Sequence, residues 1–166
     1  MEVYVKAKDI MEQVKDYLSP DDTIRNAVNK MRVVKRDDGI VGVKGMIVLD
    51  NEGNIVGMVS VKDILKAIIP FYMTMTELGE FTWEGMLAEM TKKVADKKVA
   101  EIMMKDVITV FEDAPLMECA DLIVKHNLQR VPVVNKENKV VGIIYVRDLY
   151  NALVEVLLDD KGVHNL

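Results

Sequence analysis

The sequence predicts an α/β fold made of two similar halves. Three observations carry this. One series of motifs occurs twice along the chain, and each copy holds two short β-branched runs separated by a polar turn. Apolar stripes at helical spacing flank those runs in both copies. The 166 residues suit one large or two small domains, since domains run ~50–200 residues. Half of the residues are hydrophobic and 30% are charged, which supplies a core and excludes a disordered chain.

The copies start at Ile10-Met11 and Ile102-Met103. Each opens with a short lead segment. A helix start follows at Pro20-Asp21-Asp22-Thr23, with Ile24, Ala27, Val28 and Met31 as its apolar stripe. In the second copy Asp113-Ala114-Pro115 opens the helix, with Leu116, Cys119, Ala120 and Ile123 as the stripe. A capping acid before an i, i+3, i+4, i+7 stripe predicts a helix in both places.

Strands come next. Met46-Ile47-Val48-Leu49 leads through Asp50-Asn51-Glu52-Gly53-Asn54 to Ile55-Val56-Gly57-Met58-Val59. Val131-Pro132-Val133-Val134 leads through Asn135-Lys136-Glu137-Asn138 to Lys139-Val140-Val141-Gly142-Ile143-Ile144. Both read as hairpins. Each hairpin runs into a helix through a closing motif, Gly57-Met58-Val59-Ser60-Val61-Lys62-Asp63 and Gly142-Ile143-Ile144-Tyr145-Val146-Arg147-Asp148. The copies are offset by 92 residues at the lead (10 to 102) and 85 at the closing motif (63 to 148), so the first carries seven extra residues. These fall within 32–45, a stretch with three glycines and Lys35, Arg36 and Lys44.

Between the copies, Trp83, Met86, Leu87, Met90 and Val94 share one helical face, with Glu84, Glu89, Lys92 and Lys93 elsewhere. An amphipathic linker helix is expected over 82–94. Pro70 should end or kink the helix that starts after Asp63. Six of the 12 methionines lie in 73–104. This Met-rich linker either packs on its own module or offers an adaptable surface to a partner. The domain division read along the chain is 1–79, a linker at 80–98, and 99–166.

Composition narrows the function. The net charge of −5 opposes a general nucleic-acid binder, although a local basic pocket remains open. No apolar run reaches the ~20 residues of a membrane span, and the first residues lack the layout of a secretory signal. A single cysteine, Cys119, forms no internal disulfide, which suggests a reducing cytoplasm. It reads as a packed core thiol. His126 reads as a helix C-terminal residue rather than a ligand, and His164 is third from the end. No nucleophile–base pair or metal cluster can be assembled from this inventory, so an enzyme is not expected.

The closing motif has two readings. Ser60 and Asp63 are good helix caps. Asp63 can also accept both hydroxyls of a ribose cis-diol. Ser60 and the amides of the helix's first turn can donate to a phosphate there.

The double script resembles a tandem pair of cystathionine-β-synthase (CBS) domains, the arrangement called a Bateman module. The likeness rests on Asp9-Ile10-Met11 and Glu101-Ile102-Met103, the Val131-Pro132-Val133-Val134 strand and the two closing motifs. It covers about residues 5–68 and 97–156. It implies two β-α-β-β-α repeats packed sheet to sheet about a pseudo-twofold axis, with ligand clefts drawing on both halves. One pocket would use Met58, Ser60, Lys62 and Asp63 with Val107, Ile108, Gln129, Arg130 and Pro132. There Val107 and Ile108 would sandwich an adenine, and Arg130 would either meet a phosphate or remain a solvated edge charge. A weaker mirror pocket would use Ile143, Tyr145, Arg147 and Asp148 with Asp16, Gly45, Met46 and Ile47. Tyr145, Asp16 and Gly45 depart from the family pattern, and bulk, an added carboxylate and a missing cation disfavour phosphate there.

The resemblance implies a regulatory module that senses AMP, ADP or ATP, with S-adenosylmethionine or a dinucleotide such as NAD as further candidates. It requires no catalytic cofactor, and its output would pass through a separate effector protein. The alternative is an interaction module without a ligand. A homodimer is expected, because Leu149, Tyr150, Leu153, Val154, Val156, Leu157 and Leu158 exceed one buried stripe. The helix after Asp63, continuing into Ile68, Ile69, Phe71 and Tyr72, has the same excess.

Overall fold

A computed structural model describes residues 5–69 and 86–164, with side chains omitted for 86 and 159–164. The expectations for Pro70, Phe71, Tyr72, Met73, Trp83 and Glu84 lie outside the described residues. The elements are α1 (Ala7–Ile10), α2 (Ile24–Val33), β1 (Gly45–Leu49), β2 (Ile55–Ser60), α3 (Val61–Ile68) and α4 (Met86–Val94). They continue with α5 (Val99–Ile102), β3 (Val110–Phe111), α6 (Leu116–His126), β4 (Arg130–Val134), β5 (Val140–Tyr145) and α7 (Val146–His164). This is the α/β arrangement expected of two repeats.

Packing divides the chain differently from the sequence. One unit, the N-half, is Lys15–Val107; the other, the C-half, joins Met1–Val14 to Ile108–Leu166. Each lead segment therefore packs with the hairpin of the other copy.

In the N-half, Thr23 caps α2 by accepting a 3.1 Å hydrogen bond from the Asn26 amide. Asp22 does not cap; its Oδ2 accepts from the Ser19 amide at 2.8 Å. Strands β1 and β2 pair antiparallel from Gly45↔Ser60 to Leu49↔Ile55. The hairpin turn is built by Asp50, whose Oδ1 accepts from the amides of Glu52 and Asn54 at 2.9 Å. Gly53 supplies the left-handed residue at φ 81°. Lead helix α5 docks through Val99, whose amide donates to the Asp22 carbonyl at 2.7 Å. Val99 is fully buried in a core with Leu18, Ala27, Met31, Met46, Val48 and Val59. Burying such a side chain contributes about 1.5–3 kcal/mol.

A second cluster of Ile24, Ile68 and Val94, flanked by Met90, Ile64 and Ala67, seats α4 on α3. The described part of the linker thus packs on its own module. Leu87, placed on the apolar face by spacing, is instead 68% exposed. Val28 is likewise exposed, so the stripe of α2 is narrower than expected. The extra residues fold into a small turn, with the Arg36 amide donating to the Ile40 carbonyl at 2.9 Å and Lys35 bridged to Val41.

The C-half has three strands. β3 runs parallel to β4, and β4 pairs antiparallel with β5. The N-half equivalent of β3 is a single parallel bridge, Leu18↔Val48. Asn135 repeats the role of Asp50, accepting from the amides of Glu137 and Lys139 at 3.0 Å, and Asn138 takes the left-handed position at φ 61°. Pro115, not Asp113, is the N-cap of α6. Asp113 instead pairs with Lys8 at 3.0 Å and Lys6 at 3.6 Å, tying down the lead segment. Ala7 is fully buried and its amide donates to the Ala114 carbonyl at 2.8 Å. Cys119 is buried in the core with Val110, Ile123, Val131, Val133 and Ile144, and burial raises its thiol pKa. His126 ends α6 ahead of Asn127 at φ 51°, as read from the sequence.

Candidate ligand site at the closing turns

In the N-half, β2 ends at Ser60 and α3 starts one residue later. The Asp63 Oδ2 accepts from the Ser60 amide at 2.8 Å and from the Ser60 hydroxyl at 2.9 Å. The Ser60 Oγ in turn accepts from the Asp63 amide at 3.3 Å. This reciprocal cap satisfies donors that the first turn of α3 would otherwise leave open. It occupies one carboxylate oxygen. Oδ1 receives no hydrogen bond from a described residue. Capping and cis-diol recognition are therefore compatible in one side chain.

Met58 is buried, pairs with Ile47 across the hairpin, and exchanges hydrogen bonds of 3.0 and 2.9 Å with Met104 on its other edge. That second pairing holds the lead segment, and with it half-buried Val107, in the same unit as the closing turn. Lys62 is exposed and makes no ion pair with a described residue. Met58, Ser60, Lys62, Asp63 and Val107 all belong to the N-half. Ile108, Gln129, Arg130 and Pro132 belong to the C-half.

The C-half turn is built on the same plan with different chemistry. The Asp148 Oδ2 accepts from the Tyr145 amide at 2.9 Å. Ile143 is buried and pairs with Pro132, which is also fully buried. Register sets Arg130 directly opposite Tyr145, and the Val146 amide donates to the Gln129 carbonyl at 3.1 Å. Backbone pairing therefore sets Gln129 and Arg130 beside the turn that carries Tyr145, Arg147 and Asp148. In the N-half the residue opposite Ser60 is Gly45, which offers no cation. Met46 and Ile47 lie in the N-half and are buried, Met46 within the core around Val59.

The sequence reading missed Glu12. Its backbone exchanges hydrogen bonds of 2.8 and 3.0 Å with Ile143. Its Oε2 stands 3.9 Å from the Arg147 guanidinium, with the side chain 14% exposed. Lining up Met11-Glu12 with Met103-Met104 would have placed it beside the closing motif.

Known proteins agree with this layout. The family model for the CBS domain matches residues 7–70 and 99–155. The chain is 32% identical over 138 residues to inosine-5'-monophosphate dehydrogenase of Methanocaldococcus jannaschii, covering 82% of this chain and 21% of that enzyme. It is 30% identical over 152 residues to an uncharacterized protein of the same organism, covering 79% of this chain and 90% of the other. Among solved structures, CBSX2 of Arabidopsis thaliana in complex with AMP superposes with a TM-score of 0.65 at 21% identity, over 91% of this chain and 97% of that one. Among the described residues no helix is long and apolar enough to cross a membrane. With two matched segments that each span a lead segment, a hairpin and a closing turn, the chain belongs to the CBS domain family and carries the domain twice.

Proposed function

We propose that this chain is a regulatory module whose ligand is an adenosine-containing metabolite, with AMP, ADP or ATP preferred over S-adenosylmethionine or NAD. The observation that carries this reading is the Asp63 carboxylate, fixed by Ser60 at the first turn of α3 with one oxygen left for a diol. The AMP complex of CBSX2, a protein of the same fold, supports it. In this proposal Asp63 receives the ribose hydroxyls, Ser60 and Lys62 serve the phosphate, and Val107 contacts the base. Binding shifts the population of conformers that a partner protein reads.

A thermal-shift panel of AMP, ADP, ATP, S-adenosylmethionine and NAD tests this. A ligand at 100 times its dissociation constant adds ~2.7 kcal/mol of stability. No shift with any of the five would overturn the reading.

The second reading, an interaction module, is favoured by α7. Tyr150, Leu153, Val156, Leu157 and Leu158 are each more than half exposed, an apolar surface that wants cover. We take it as a homodimer surface that accompanies ligand binding. Light scattering at micromolar concentration should give twice 18.8 kDa; the monomer mass would refute the dimer.

A further inference from the structure

The C-half closing turn carries an ion pair, Arg147 with Glu12, at a position where Lys62 of the N-half pairs with no described residue. Lys62 and Arg147 occupy the same position in the motif, as do Asp63 and Asp148. Met104, beside the N-half turn, is neutral. Its counterpart Glu12 is held by its backbone pairing to Ile143, which brings its carboxylate 3.9 Å from Arg147.

We propose that Glu12 is a specificity-determining residue that discriminates against phosphate at the C-half turn, so that this turn prefers a nucleoside without phosphate while the N-half turn prefers a phosphorylated one. The inference rests on the nucleoside-binding reading above. A phosphate approaching Arg147 must compete with a resident carboxylate. Glu12 is mostly shielded from water, and drawing Arg147 away from a shielded carboxylate is costly. By residue count the turn and its neighbouring strand are not anionic, because Arg130, paired opposite Tyr145, and Arg147 match Glu12 and Asp148. Discrimination therefore comes from occupancy of Arg147 rather than from net charge. A cis-diol engages Asp148, which Glu12 leaves available.

The test is titration of the full chain with adenosine and with AMP, in an Asp63→Ala background that removes the N-half diol contact. That chain should bind adenosine more tightly than AMP. Adding Glu12→Gln should raise AMP affinity by about fivefold, the upper end for a part-exposed ion pair that no longer holds Arg147, and leave adenosine affinity unchanged. Glu12→Met, which copies Met104, should do the same and guards against a fold defect specific to Gln. AMP affinity unmoved by both variants, or an equal gain for both ligands, would overturn the proposal while leaving nucleoside binding intact. A wild-type chain that binds neither ligand would overturn both.

Discussion

Met103 lies across Gly57. A β-carbon on that glycine would stand 2.5 Å from the Met103 sulfur and 3.0 Å from the Met104 carbonyl oxygen. Met11 and Gly142 repeat the relationship at 2.5 Å, with the Glu12 carbonyl oxygen at 3.0 Å. The methionine of each lead segment and the glycine of the other copy's closing motif are thus two halves of one contact. Gly57→Ala should cost about 1–3 kcal/mol through overpacking. Combining it with Met103→Ala should cost less than the sum of the two single changes. Denaturant unfolding of the four proteins gives the cycle, and strict additivity would show that the contact is not limiting.

Removing residues 1–14 should destabilise the C-half rather than the N-half, despite the position of the deletion in the first copy. The lost groups include buried Ala7, the Glu12–Ile143 backbone pair and the two lysines on Asp113. Hydrogen exchange should quicken across β4 and β5 and stay slow across β1 and β2. Faster exchange in the N-half strands would contradict this.

The Lys8–Asp113 pair has a pH signature. The hydrogen bond and charge of Lys8 hold the Asp113 carboxyl below its usual range, and Asp113 in turn raises Lys8. A carboxylate with a lowered folded pKa stabilises above its unfolded pKa and loses that contribution as pH falls through the folded value. Asp113→Asn should therefore lower the unfolding midpoint at pH 7, with the difference from wild type vanishing as acid protonates Asp113. Both groups are exposed, so the effect should be small and shrink with salt. A difference that persists in acid would assign it to packing.

The Ser60 cap makes a separate claim. Ser60→Ala should cost about 1 kcal/mol of stability by removing the side-chain cap of α3. Tyr145→Ala should spare the corresponding bond, since Asp148 there accepts from the backbone amide. Equal loss of helix capping at both turns would refute the distinction.

Both hairpins were legible in the sequence because their turn residues act locally: Asp50 and Asn135 bond amides two and four residues on. The closing turns were legible for the same reason. Asp113 was misread as a cap because spacing does not reveal that Lys8, over a hundred residues away, competes for it. Leu87 follows helical periodicity, but α4 meets α3 through Met90 and Val94 and leaves Leu87 exposed. The exchange of lead segments was legible only through the resemblance, which set Val107 with Asp63, because a repeat fixes order along the chain, not which copy each segment joins. Glu12 was missed, since its role exists only once the first lead segment pairs with Ile143.

Isothermal titration of AMP into the wild-type chain and Asp63→Ala decides whether Asp63 holds the ribose. Wild type should bind, and loss of the charge-assisted contact to ribose should weaken the N-half site by about 1.5–3 kcal/mol. The variant should still unfold cooperatively. Unchanged affinity in a folded Asp63→Ala protein would contradict the account.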